Sequence, residues 1–206
     1  MLLDPAAMPP HKFYPYMIAS INPRPIAWVS TLSPGGVTNL APFSFFNGIT
    51  SNPPALLFCP SNKRDGSKKD SLRNAEARGE FVVNVVNFAL AERMNATSAE
   101  YEYEVSEFER CGLTPAPSTK ITTPRVAEAP VAYECRVLEI VRVGAGPSAG
   151  NVVIGRIELL HVAETVLDAE GRIDPAKLDT IGRMGGEGYA RTRERFDLTR
   201  PPKPDA

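Results

Sequence analysis

Lys63–Arg73 (KRDGSKKDSLR) places five basic residues and two acids directly ahead of a stretch with helical spacing. A helix start carries free N–H groups; with the Ser71 hydroxyl and lysine or arginine side chains converging on it, it binds an anion, a phosphate above all. Taken alone, the segment fits a solvated basic loop capped by Asp70 better. The stretch Asn39–Ser44 (NLAPFS) shifts that balance. Pro42 cannot donate to a ladder, so it marks an edge or a bulge. The small residues Ala41 and Ser44 beside Phe43, Phe45 and Phe46 leave main-chain groups open. A flat heterocycle with a pyrimidine edge needs such groups held against an apolar wall. Ile26–Thr31 is the hairpin partner of this stretch, so these two lie side by side, and the basic segment would complete a phosphate site beside them.

Other constellations point to blander readings. Gly144–Gly150 (GAGPSAG) is a near miss of the dinucleotide fingerprint: its third glycine falls one position late and a strand follows where a helix is required. It reads as a hairpin loop. There is no GxSxG elbow and no phosphate-binding GxxxxGK[ST] loop. Asn95-Ala96-Thr97 matches a glycosylation sequon, which has no bearing without secretion. Glu100–Arg110 (EYEYEVSEFER), with five glutamates, reads as a solvated helix face and not as paired catalytic carboxylates. Cys59 follows an apolar run and has no neighbouring histidine to act as base, so it reads as a structural thiol. His161 reads as a core residue with its polar atoms satisfied.

The elements that position these residues follow from periodicity. Ile26–Leu32 is a strand, Ser33–Gly36 a turn, and Val37–Ile49 an edge or bulged strand. Ala55–Cys59 is a short buried strand. A helix with Asp70 or Ser71 as N-cap stops at Gly79. Glu80–Val86 is a strand, Leu90–Ala99 a helix, and Cys111–Pro130 a loop with four prolines. Two long strands follow, Val131–Val143 and Asn151–Val166. In the first, the apolar phase slips after Val137, which predicts a β-bulge. The N-terminus is loose, and a short helix surrounds Tyr189. Long antiparallel strands with few helices predict a mainly β protein, a closed or half-closed barrel, in one domain over residues 1–206.

Composition agrees. The 206 residues are 43% hydrophobic and 23% charged with a formal charge of −1, so the chain is globular and lacks the basic excess of a nucleic-acid binder. Twenty prolines disfavour long helices. Three cysteines far apart and two histidines leave neither a disulfide framework nor a metal centre in view. No signal peptide and no membrane-long apolar run is present, which predicts a cytoplasmic protein.

The stretches RPIAWVST (Arg24–Thr31), GVTNLAPFSFFNGIT (Gly36–Thr50), KKDSLRNAEARGEFVVNVV (Lys68–Val86) and GRMGGEGYARTRERFDLTRP (Gly182–Pro201) resemble the flavin reductase-like family of FMN-binding split β-barrels. The resemblance implies a six-stranded antiparallel split barrel, a homodimer with flavin near the subunit interface. It implies that Asn39, Leu40, Ala41 and Ser44 contact the isoalloxazine through main chain and hydroxyl, with Ser30 and Thr31 at the ribityl–phosphate end and Trp28 in the wall. By the same resemblance Arg64, Lys69, Asp70 and Ser71 would form the phosphate cradle, Asp70 by capping the helix or orienting a hydroxyl. Arg183 and Tyr189 match the tail of the longer members, and Tyr189 is equally explained by packing. FMN is the implied cofactor, FAD the second choice, and NADH or NADPH the electron donor. The resemblance leaves three roles open: a flavin reductase, including one serving a partner monooxygenase, a non-catalytic electron carrier, or a reductase of unsaturated carbonyl or nitro compounds.

Overall fold

The computed structural model describes residues 1–203. Its first helix, α1 (Pro10–Ser20), lies where the sequence predicts a loose start. Pro10 sits in the first turn, where its missing N–H is no loss. Strands β1 (Ala27–Leu32) and β2 (Thr38–Phe43) form the expected hairpin, Trp28 facing Pro42 and Thr31 facing Asn39. The extended segment then divides: β3 (Phe46–Ser51) is a separate strand that pairs with β4 (Pro54–Phe58).

Helix α2 (Asp70–Arg78) begins one residue earlier than its sequence signals suggest, with Lys69 at the N-cap, and ends at Gly79 with φ 68°. A left-handed residue at that place favours glycine. Next come β5 (Glu80–Val85), α3 (Ala91–Ala96), the four-residue α4 (Glu107–Arg110), and the short pair β6 (Pro115–Ala116) and β7 (Arg125–Val126). The long strands are β8 (Val131–Val143) and β9 (Gly150–Val162), with α5 (Pro175–Leu178) after them. The β8–β9 register shifts between Val137 and Glu139, where the sequence phase slips, and again between Glu134 and Cys135. Around Tyr189 the chain forms a hairpin, β10 (Ile181–Arg183) with β11 (Tyr189–Arg191), not the expected helix. Gly182, Gly185, Gly186 and Gly188 disfavour helix there, and Gly186 at φ 58° supplies the turn. Among the described residues no helix is long and apolar enough to cross a membrane.

The main sheet runs β2-β1-β5-β8-β9-β4-β3, and the pairs are antiparallel. Its two edge strands, β2 and β3, are consecutive in the chain, separated only by Ser44 and Phe45. The sheet must therefore curl until its edges nearly meet, and the Cys59 N–H donates to the Phe45 carbonyl at 2.9 Å across that corner. The interior confirms the closure. Val29 of β1 and Phe81 of β5 belong to one buried cluster with Val153 of β9 and Phe58 of β4, although the two strand pairs lie on opposite sides of β8 in the sheet, and Leu72 of α2 joins them. Phe43, Phe58 and Phe81 pack in series, tilted and then edge-to-face, at 5.3 and 4.9 Å between ring centres. Gly155 is required here: a Cβ would stand 2.7 Å from Phe81 Cε1 and 3.1 Å from Cys135 Cβ. A second cluster, with Trp28, Leu40, Met94 and Phe108, fills the space between the outer face of β1–β2 and the helices α3 and α4. Strand β1 is thus buried on both faces, its Ser30 and Thr31 hydroxyls hydrogen-bonded within the protein.

Candidate functional site

The edge strand β2, the start of α2 and the segment 97–107 enclose a cleft of about 420 Å³. Its floor is a hydrogen-bonded lattice of neutral side chains. Asn39 Nδ2 donates to Thr31 Oγ1 at 3.1 Å and to Ser71 Oγ at 2.9 Å; Asn74 Nδ2 donates to the same Thr31 oxygen at 3.1 Å. Tyr103 O–H donates to Asn74 Oδ1 at 3.1 Å and its ring lies 3.8 Å from the Arg73 guanidinium, which ties the covering segment to α2. Ser71 is buried and accepts from Asn39, so its own proton remains free for a further acceptor. No side chain caps α2. Among the described residues, the Asp70 and Ser71 N–H groups have no hydrogen-bond partner in the protein.

Cations ring this helix start. Lys63 and Lys69 line the cleft; Lys63 Nζ lies 3.4 Å from Asp70 Oδ1, and Lys69 Nζ stands 5.8 Å from the centre of the Phe43 ring. Arg73 is 3.9 Å from the same Asp70 oxygen. Asp70 therefore holds two of the cations in place and sits in the first turn, where the helix dipole favours a carboxylate.

The acidic run is not a solvated helix face. Residues 100–106 form a loop, only Glu107–Arg110 is helical, and Glu107 is buried. Glu107 Oε2 accepts the Leu40 N–H at 2.8 Å. Burial pushes its pKa up to about 7; the Leu40 bond opposes the rise and nearby Asp70 adds to it. The physical reason is the unpaired edge of β2, whose outward N–H demands an acceptor once α4 covers it. The five-glutamate pattern carries no signal that singles out this one.

A second hollow of about 170 Å³ continues the cleft past Pro42 and Ser98, which line both. Ser44, Arg183 and Tyr189 line it, with Ile26 and Met94 as its apolar wall. Arg183 lies 4.6 Å from the Tyr189 ring centre, and Tyr189 O–H donates to Asn95 Oδ1 at 3.3 Å.

The sequence-predicted residues thus divide. Asn39, Ala41, Lys69, Asp70 and Ser71 line the first cleft; Ser44, Arg183 and Tyr189 line its continuation. Leu40 lies at the wall but its side chain is in the outer core and its N–H is taken by Glu107. Trp28 lies one layer behind: it is wholly buried and its indole N–H donates to Thr97 Oγ1 at 2.9 Å, Thr97 being the residue that reaches the cleft. Ser30 Oγ donates to the Pro124 carbonyl at 2.6 Å, and Thr31 supports the floor, so neither hydroxyl opens into the groove. Arg64 stands exposed in the turn 64–66, outside the lining; Lys63 takes the place expected of it. Neither histidine lines the groove, and His161 pairs with buried Glu134 at 2.5 Å. Cys59 is half-buried, and burial raises its thiol pKa.

A groove with unpaired helix N–H groups and lysines at one end and small residues along an edge strand is built to hold a ligand. Comparison with known proteins agrees with this architecture. The sequence profile described as "Flavin reductase like domain" matches residues 19–177. The Bacillus subtilis protein YwrF is 40% identical over 191 residues, covering 91% of this chain and 93% of that protein. The crystal structure of nitrilotriacetate monooxygenase component B from Bacillus cereus superposes with a TM-score of 0.91 at 35% identity, covering 96% of this chain and 98% of that one. The Pseudomonas fluorescens 2-nitrobenzoate 2-nitroreductase NbaA gives a TM-score of 0.87 at 33% identity, over 98% and 96% of the two chains. Matched along most of its length in sequence, and along nearly all of it in backbone, this chain belongs to the flavin reductase-like family of split-barrel proteins.

Proposed function

We propose that the protein is an FMN-dependent oxidoreductase that takes reducing equivalents from NADH or NADPH and delivers them to free flavin, oxygen or another small acceptor, and that it works as a homodimer in the cytoplasm. The observation that carries this reading is the continuous groove along β2, with a phosphate-type cradle at one end and a hollow of about 170 Å³ at the other. From Asn39 to Ser44 the extended chain spans about 17 Å, enough to separate a phosphate from an aromatic ring on one ligand.

The donor set fits FMN. Lys63, Lys69, the free Ser71 hydroxyl and the unpaired N–H groups of Asp70 and Ser71 suit a phosphate, and Glu107, with its carboxyl drawn towards the neutral form, adds little repulsion. Ala41, Pro42 and Ser44 would face the ring. When bound, the flavin supplies the hydride-accepting centre, and the chain supplies position and electrostatics.

Likeness to a monooxygenase component and to a nitroreductase supports two versions of the role. In one, reduced flavin passes to a partner monooxygenase; in the other, a small electron-poor molecule is reduced in the groove. The visible spectrum of the purified protein, identification of the released flavin, and steady-state oxidation of NADH and NADPH with and without added FMN test the proposal. A yellow protein that oxidises either nicotinamide supports it. A colourless protein that ignores added FMN ends it, and a yellow one without turnover is an electron carrier instead.

A further inference from the structure

Arg24 lies behind the inner half of the groove and is only 4% exposed. Its guanidinium reaches three parts of the chain: Nη1 donates to the Ile18 and Ile21 carbonyls at 2.6 and 2.8 Å, Nη2 to the Met184 carbonyl at 2.9 Å, and Nε to Ser44 Oγ at 3.2 Å. Its main chain forms a two-way bridge with Arg183, N to O at 2.9 Å and O to N at 2.8 Å. Among the described residues no carboxylate pairs with it. A buried charge without a counter-charge is destabilising unless something else compensates it.

The polarity of the adjoining hollow shows where compensation would come from. Ser44 Oγ accepts from Arg24, which leaves its O–H to turn into the groove. Asn95 Oδ1 accepts from Tyr189, which leaves the Asn95 amide N–H₂ as its free end, and Ser98 Oγ donates to the Asn95 carbonyl at 2.6 Å. Arg183 adds a second guanidinium, and no carboxylate lines this half. Ser44 O–H, the Asn95 amide and the Arg183 guanidinium offer donors here, Ser98 and Tyr189 have already given their protons to Asn95, and Ile26, Pro42 and Met94 supply the apolar surface.

We propose that Arg24 is a positioning residue for the reaction: by fixing Ser44 as a donor and holding Arg183 beside it, it makes the inner half of the groove favour negative charge on the ring lodged there. This rests on the flavin reading above. Two-electron reduction leaves the flavin ring richer in electrons, so the reduced form gains more from such surroundings than the oxidised one. Arg24 touches the ring only through Ser44.

The test is the reduction potential of bound FMN, with its dissociation constant, in wild type, Ser44→Ala, Arg24→Gln and the double variant, titrated with dithionite. The expected result is that the preference for reduced over oxidised FMN falls about tenfold in Ser44→Ala, the size of one hydrogen bond linked to a charge. Arg24→Gln should lower it further by releasing the Met184 carbonyl beside Arg183, and adding Ser44→Ala to Arg24→Gln should change it less than in wild type, since the two act as a unit. Because Arg24→Gln also removes ties to α1 and the tail, Ser44→Ala alone is decisive: a wild type that binds FMN and a Ser44→Ala variant with the same potential overturn the proposal. Strict additivity of the two changes overturns it as well. A wild type that binds no flavin brings down the cofactor reading and this proposal with it.

Discussion

Glu107 Oε2 holds the main-chain N–H of Leu40 at 2.8 Å, joining a four-residue helix to the edge strand that forms the groove wall. The bond closes the outward side of β2 just before Pro42, which has no N–H of its own to satisfy. An acceptor is needed there, and a buried carboxyl supplies it at the expense of its ionisation.

The pH dependence of stability follows from that burial. The Glu107 pKa rises from 4.5 to about 7 on folding. Below 4.5 the carboxyl is neutral folded and unfolded; between 4.5 and about 7 the folded chain keeps a proton that the unfolded chain gives up, so this group's contribution falls as pH rises and is fully lost above about 7. Glu107→Gln keeps an acceptor for Leu40 and removes this dependence. Urea unfolding should show the variant gaining on wild type between pH 5 and pH 8, by on the order of 2 kcal/mol. An unchanged difference at the two pH values would contradict the assignment.

Replacing both Lys63 and Lys69 with alanine should weaken FMN binding about tenfold or more if, as proposed, the two ammonium groups hold the phosphate; Asp70 also loses a partner. Riboflavin, which lacks the phosphate, should bind the variant and wild type alike. Fluorescence titration with each ligand distinguishes a cradle from a general loss of the groove, and equal weakening for both would reject the cradle.

Gly155→Ala drives a methyl into the Phe81 ring and against Cys135 inside the barrel. Phe81 is held by Phe58, so it cannot simply swing aside. The expected destabilisation is about 1–3 kcal/mol, the usual range for overpacking a filled core. Thermal unfolding within a degree of wild type would show that the interior is looser than described.

Two buried carboxylates fasten residues 119–123 to the sheet. Glu134 accepts from Thr119 and Lys120 N–H at 2.7 and 2.6 Å; Glu80 accepts from the Thr122 and Thr123 N–H groups, both at 2.8 Å. Burial works to raise both pKa values, but the hydrogen bonds outweigh it and each ends below 4.5. A lowered pKa contributes stability that is present above 4.5 and lost as pH falls through the folded value. Hydrogen exchange at Thr119 and Lys120 should therefore accelerate below pH 4.5 relative to β5. Glu134→Gln should show the fast exchange already at neutral pH, because an amide offers one acceptor oxygen to those two donors and His161. Uniform acceleration across the sheet would mean global unfolding and no local clasp.

Much of this protein is written in local pattern. Pro42 marks the edge strand, Gly79 the end of α2, and the phase slip after Val137 the bulge, because each rests on backbone chemistry within a few residues. The residue types of the cradle are equally legible in Lys69 and Ser71, next to a helix start. Three features are not. Arg64 and Lys63 are neighbours in one basic run, and a turn alone decides which of them reaches the groove. Glu107 is one glutamate of five, and it becomes distinct only because Leu40, 67 positions away, needs an acceptor under α4. Arg24 meets Ser44 and Met184 across separations of 20 and 160 residues. Periodicity reports which side of an element faces the core, whereas the ionisation and hydrogen-bond polarity of a buried group depend on partners that chain folding alone brings within 3 Å.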